Sequence, residues 1–180
     1  RKIVLSAENT GRFYSAEYVA KKLMDIATKK GVNKIRISGN EPTICKEHLI
    51  KVLEELKKRN NPYLFILETN GILLGKDKDF VADLSEFDFL HVRVSLKGDN
   101  EKRFEQLTGA DGKFFNYQLK ALRNLVKHKV SCHASVILAE DLSKLRNKLK
   151  SIDESLSEIE VEELILYPHV AERLKKAGIL

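Results

Sequence analysis

Apolar positions recur along the chain in two alternating rhythms. Short β-branched and aliphatic runs are each followed by a stretch whose apolar residues repeat every three or four positions. The runs are Lys2–Ser6, Lys34–Ser38, Tyr63–Glu68, Phe89–Leu96, Ser131–Leu138 and Glu163–Tyr167, which predicts six strands. Ser15 opens a helix carrying Val19, Leu23 and Ile26 on one face, and Gly31 closes it. Leu49, Val52, Leu53 and Leu56 mark a second helix, residues 78–86 a short third, and residues 113–129 a longer one with Phe115, Leu119, Leu122 and Val126 inward. Leu142, Leu145 and Leu149 mark the next, and a last helix begins at Pro168 and stops before Gly178.

Each strand–helix unit takes about 30 residues, the length of a βαβ element with a right-handed crossover. A closed eight-unit barrel takes about 250 residues. The 180 residues present therefore predict one α/β domain over 1–180, a parallel six-stranded open sheet with outer helices, or a partial (β/α)6 barrel. Ligands of such folds lie at the carboxyl ends of the strands.

Composition narrows the picture only slightly. With 43% hydrophobic and 32% charged residues and no apolar run near the ~20 that a membrane helix needs, a soluble cytoplasmic protein without a membrane partner is expected. The formal net charge of +6 comes from lysines interleaved with glutamates at helical spacing, which reads as solvated helix faces rather than a nucleic-acid strip. Cys45 and Cys132 form neither a disulfide framework nor a metal-ligand motif, and no P-loop or GxSxG elbow is present.

The chemistry gathers at the strand ends. Strand two runs into Ser38-Gly39-Asn40-Glu41-Pro42, strand three into Glu68-Thr69-Asn70-Gly71, strand four into Ser95-Leu96-Lys97-Gly98 and strand six into Tyr167-Pro168-His169. Glycine admits a ligand close to the backbone, and the residues beside it offer a carboxylate, amides, a hydroxyl and an ammonium.

These ends resemble the radical SAM superfamily, whose partial (β/α)6 barrel binds S-adenosylmethionine (SAM) across its top. Gly39, Asn40, Glu41 and Pro42 are similar to the family's GGEP motif, and the resemblance implies that Gly39, Asn40 and Glu41 receive the methionine amino group. An ammonium does seek carbonyl and carboxylate acceptors. Glu68, Asn70 and their neighbours resemble the TNG turn found near glycyl-radical activating enzymes and the tRNA wybutosine enzyme. Ser95 and Lys97 match strand four, which implies contacts to the methionine carboxylate or the ribose. Tyr167, and Ser135 on strand five, match by position and would flank the adenine.

The family also holds a 4Fe–4S cluster on three cysteines after strand one, and electron transfer from a donor such as ferredoxin or flavodoxin yields a 5′-deoxyadenosyl radical. This chain runs from Ser6 into Ala7-Glu8-Asn9 with no cysteine. The expectation is a radical SAM core lacking its cluster loop near residues 6–7 and an N-terminal extension. The cluster ligands then lie outside this chain, and the substrate, whether protein, RNA or small molecule, is left open. Two alternatives stand beside it: a cluster-free SAM or nucleotide binder, and a barrel enzyme using Lys97 as a Schiff-base lysine. His91, Arg93 and His133 alternate with apolar residues and are candidates to face the barrel interior; residues 99–112 form an insertion that is either a gating lid or a structural cap.

Overall fold

The structure, a computed structural model, describes residues 11–176 and 178. The strand expected at Lys2–Ser6 and the cluster loop expected near residues 6–7 lie outside them.

Ser15 caps α1 (Ala16–Lys30) by accepting from the Tyr18 amide, and Gly31 ends it in the left-handed conformation. After β1 (Lys34–Ile37) come a 3-10 turn (Pro42–Ile44), α2 (Lys46–Lys58) and β2 (Leu64–Thr69). The short helices α3 (Ile72–Lys76) and α4 (Lys78–Leu84) lead into β3 (Leu90–Lys97). Then follow α5 (Glu101–Thr108), α6 (Phe114–Lys127), β4 (Ser131–Ile137), α7 (Leu142–Lys150), a 3-10 turn (Glu154–Ser157), β5 (Ile159–Val161) and α8 (Pro168–Lys176). No helix among the described residues is long and apolar enough to cross a membrane.

All described strands pair in parallel and in sequence order, β1-β2-β3-β4-β5, which is the singly wound topology of an open barrel. Phe65, Leu67, Val92, Val94, Leu96, Ala134 and Val136 are buried against the helices. Side chains alternate across a strand, so the opposite face carries Arg36, Glu68, His91, Arg93, Ser95, His133, Ser135, Glu160 and Glu162. One face of the sheet is therefore a hydrocarbon core and the other a polar surface.

Two expectations need correction. The last strand is Ile159–Val161, not Glu163–Tyr167. The turn after α7 buries Leu156 and delivers Ile159 opposite Ala134, which leaves Ile165, Leu166 and Tyr167 exposed beyond the sheet. On α1, Ile26 is 47% exposed and the buried positions are Ala20 and Ala27, small residues that let α1 lie close against the sheet layer. Residues 72–76, to which the apolar pattern assigns no element, form α3, in which the Gly75 amide donates to the Gly71 carbonyl.

Candidate functional site

Each strand end of the rim is tied to the next. Gly39 and Asn40 both take positive φ (91° and 52°), and a Cβ at Gly39 would meet nothing within 4 Å, so the turn after β1 is bent sharply with open space above it. Glu41 then points at the end of β2. Its Oε1 accepts from the Thr43 amide (3.2 Å), the Thr43 hydroxyl (2.6 Å) and the Thr69 hydroxyl (2.6 Å), while Oε2 accepts from the Asn70 amide (2.7 Å). Oε2 has one donor and keeps a free acceptor position. Pro42 starts the 3-10 turn that aims this carboxylate.

The Asn70 side chain accepts from the Ile72 amide (2.9 Å), opening α3. Gly71 has φ 76°, and a Cβ there would fall 2.8 Å from Val94 Cγ1, so only glycine fits between turn and sheet. At the end of β3, Asp99 is buried and its carboxylate accepts from the amides of Glu140 (3.2 Å) and Asp141 (2.9 Å) beyond β4. Residues 99–112 are a packed cap: Phe104 is buried, Arg103 Nε donates to the Leu138 carbonyl (3.0 Å), and Asn100 caps α5.

The structure separates the candidates that the sequence groups together. Gly39, Asn40, Glu41, Asn70 and Lys97 stand on neighbouring strand ends. Among the described residues Lys97 makes no ion pair or side-chain hydrogen bond. Ser95 lies deeper, where its hydroxyl accepts from Arg93 Nη1 (3.1 Å) and from the Ser135 hydroxyl (3.3 Å). Glu68 also belongs to the polar face, paired with Arg36 (2.9 Å) and Arg93 (3.2 Å). Tyr167 is not on a strand; it stacks on His169 in the exposed turn before α8.

Arg93 is the centre of that polar face. Its Nε and Nη2 reach both oxygens of Glu160 (2.8 and 2.9 Å), and Nη2 also lies 3.2 Å from Glu162. A hydrogen-bonded row continues from Glu160 to His133 Nε2 (2.8 Å), from His133 Nδ1 to His91 Nε2 (2.6 Å) and from His91 Nδ1 to Ser131 (2.7 Å). A carboxylate can only accept, so neutral rings donate in one direction, from Ser131 towards Glu160. Sequence reasoning marked His91, Arg93 and His133 but missed Glu160, because the last strand was placed too late.

The charges of this row follow from their neighbours. The Arg93 guanidinium, then His133, hold the Glu160 carboxyl down at about 2. Burial, then the neighbouring His133 ring and Lys34, push the His91 ring below its ordinary range. Both groups bind protons more readily once unfolded, so both contribute stability at neutral pH that is lost on acidification. His91 acts as pH falls below 6.5, and Glu160 acts between 4.5 and about 2. Glu160 is half-exposed, which screens its share to about 1 kcal/mol. Urea midpoints of the wild type and Glu160→Gln are expected to differ at pH 6 and to converge towards pH 2. Parallel curves would show that the pair contributes nothing.

The donor set fits one of the family's two cofactors. An aminocarboxylate finds carbonyls, a carboxylate acceptor and an ammonium along this rim. Among the described residues a thiolate-bound cluster finds no set of ligands. Cys45 is exposed ahead of α2, whereas burial pushes the partly buried Cys132 thiol up to about 12. Among the described residues no group of three or more His, Cys, Asp or Glu side chains can hold a metal ion.

Known proteins resemble this chain in sequence and in fold. The family model for the radical SAM superfamily matches residues 2–146. A probable GTP 3′,8-cyclase of Methanococcus vannielii is 32% identical over 155 residues, covering 85% of this chain and 50% of its own. A GTP 3′,8-cyclase of Clostridium botulinum is 36% identical over 87 residues, 48% of this chain and 26% of its own. The chain thus spans at most about half the length of these curated relatives. SuiB of Streptococcus suis bound to S-adenosylmethionine superposes with TM-score 0.65 at 16% identity, covering 93% of this chain and 40% of SuiB. Native anSMEcpe with bound AdoMet gives TM-score 0.60 at 21% identity, covering 84% and 45%. At these identities the two structures speak for the fold alone.

Proposed function

This chain belongs to the radical SAM superfamily, and from that premise we propose that it is the SAM-binding core of a radical enzyme acting on a purine nucleoside triphosphate. The observation that carries the cofactor assignment is the rim itself, where a carboxylate with a spare acceptor and an ammonium stand on strand ends pinned to one another. The backbone carbonyls of Gly39 and Asn40, with Glu41 Oε2, would take the amino group of SAM. Lys97 would take its carboxylate, a binding role in place of a Schiff base. Asn70 and Ser95 shape the floor, Glu68 faces the substrate side, and no role is assigned to Tyr167. When bound, SAM supplies the 5′-deoxyadenosyl radical that abstracts a hydrogen atom from the substrate. The relative that spans most of this chain is a probable GTP 3′,8-cyclase, and one matching about half of it is a GTP 3′,8-cyclase, which supports a nucleotide substrate.

The cluster does not fit the residues present, so its thiolates are assigned to sequence outside the described residues. Tryptic mapping of the purified protein is the direct check: a cysteine-containing peptide besides those of Cys45 and Cys132 is expected. A peptide running unbroken from Ile3 to Arg12 would place such cysteines upstream of Arg1 rather than between Ser6 and Ala7.

The activity test uses the purified protein under anaerobic, reducing conditions with ferredoxin, flavodoxin or dithionite as electron donor. GTP is expected to stimulate formation of 5′-deoxyadenosine. Lys97→Met is expected to weaken SAM binding by about tenfold or more, the value of one charge-assisted contact. Binding without cleavage would favour the cluster-free binder, and cleavage stimulated by peptide but not GTP would overturn the nucleotide assignment.

A further inference from the structure

Asn70 is gripped from two sides through its backbone. Its amide goes to Glu41, and its carbonyl accepts from Gln118 Nε2 of α6 (2.7 Å), a residue that no motif marks. The second hydrogen of the same Nε2 goes to the Ser95 carbonyl on β3 (3.0 Å). Two carbonyl oxygens on one side fix which end of the carboxamide faces them. Gln118 is fully buried, and its Oε1 has no partner among the described residues.

That unpartnered oxygen is informative. A buried acceptor left unmade costs stability, so a position that only filled space would be better served by leucine or methionine. The geometry instead gives the two donors a task. The junction between β1 and β2 is clamped by Glu41 and the junction between β3 and β4 by Asp99. Gln118 closes the junction between β2 and β3, and it does so from a helix. Gly71 makes this reach feasible, since the turn lies so close that a Cβ there would sit 3.7 Å from Gln118 Cα and 3.2 Å from Ala121 Cβ.

We infer that Gln118 is a positioning residue for SAM: by locking the Asn70 turn to the Ser95 segment it sets the spacing between Glu41 and Lys97. The inference rests on the cofactor reading of the rim, and its test separates the two. Gln118→Met removes both donors at nearly unchanged volume. Asn124→Leu, about one and two-thirds turns along α6, removes a comparable bond from Nδ2 to the Leu74 carbonyl (2.9 Å) away from the rim.

Equilibrium dialysis of SAM and hydrogen exchange at the Gly71 and Ile72 amides are measured on both variants. Gln118→Met is expected to raise the SAM dissociation constant about tenfold and to speed exchange at both amides. Asn124→Leu is expected to lower the urea midpoint while leaving SAM affinity and those amides unchanged. Should Gln118→Met fail to fold, Gln118→Glu serves, because a buried neutral carboxyl donates once and recovers part of the affinity as pH falls. A wild type that takes up no SAM overturns the cofactor reading and this inference with it. A wild type that binds, with Gln118→Met binding equally well, overturns the inference alone. Equal losses in Gln118→Met and Asn124→Leu would reduce Gln118 to a structural residue.

Discussion

Replacing Arg93 by methionine is expected to destabilise the protein by about 3 kcal/mol, the lower end of the range for removing one partner of a buried ion pair. The side chain is 9% exposed and touches Glu160 through two nitrogens, Ser95 through a third, and Glu68 and Glu162 at 3.2 Å. Methionine preserves most of the volume and leaves three carboxylates on one face with Arg36, His133 and the Ser135 hydroxyl as their partners among the described residues. Glu160 and Glu162 are 49% and 26% exposed, so they can turn towards water, which holds the loss near the lower figure. The signature is its pH dependence. Without Arg93 the carboxylates raise one another's proton affinity, so the folded variant gains protons before the wild type does, and its deficit shrinks as pH falls from 7 to 3. Arg93→Lys should recover only part, because an ammonium cannot reproduce the fork to Glu160. Urea unfolding across that range decides the matter: a deficit below about 1 kcal/mol, or one that ignores pH, would mean the cluster is solvated and Arg93 dispensable.

The same arginine shows where sequence reading stops. Strands β1 to β3 were legible because each is rich in β-branched or aliphatic residues and bounded by glycine, asparagine or aspartate, and β4 because its apolar end follows a long amphipathic helix. The rim was legible because its residues are polar and stand beside glycines. The clamp by Glu41 was less so, since a carboxylate in a motif suggests a ligand contact, whereas three hydroxyl and amide groups of the protein occupy its Oε1. The last strand was misplaced for a physical reason. Ile159-Glu160-Val161-Glu162 alternates apolar and acidic, the pattern of an edge strand with one polar face, while Glu163–Tyr167 reads as a buried run. What selects the earlier segment is long-range pairing: only that register sets Glu160 against Arg93 and Glu162 against Ser135. Gln118 was invisible for a related reason, since its partners are main-chain carbonyls on two other elements and leave no trace in local spacing.

Gly75→Ala is expected to lower stability by at least as much as the loss of Arg93. On a solvent-facing helix the change would help by about 1 kcal/mol, because alanine loses less backbone freedom than glycine. Here α3 lies directly on α6, and a Cβ at residue 75 would stand 2.0 Å from the Tyr117 carbonyl oxygen and 2.8 Å from its carbon. Those atoms are main chain within a regular helix, so no rotamer relieves the contact and the two helices must separate. Separation would open the layer formed by Leu74, Phe115, Ala121 and Leu122, where overpacking costs about 1–3 kcal/mol or more and the propensity gain is the smaller effect. It would also carry Gln118 away from Asn70, so any Gly75→Ala protein that folds should bind SAM poorly. Gly109→Ala is the matched control. Its site is open but its φ is +73°, so strain alone should cost about 1 kcal/mol with SAM binding intact. A Gly75→Ala protein with an unfolding midpoint at or above the wild type would show that α3 and α6 are not in this contact.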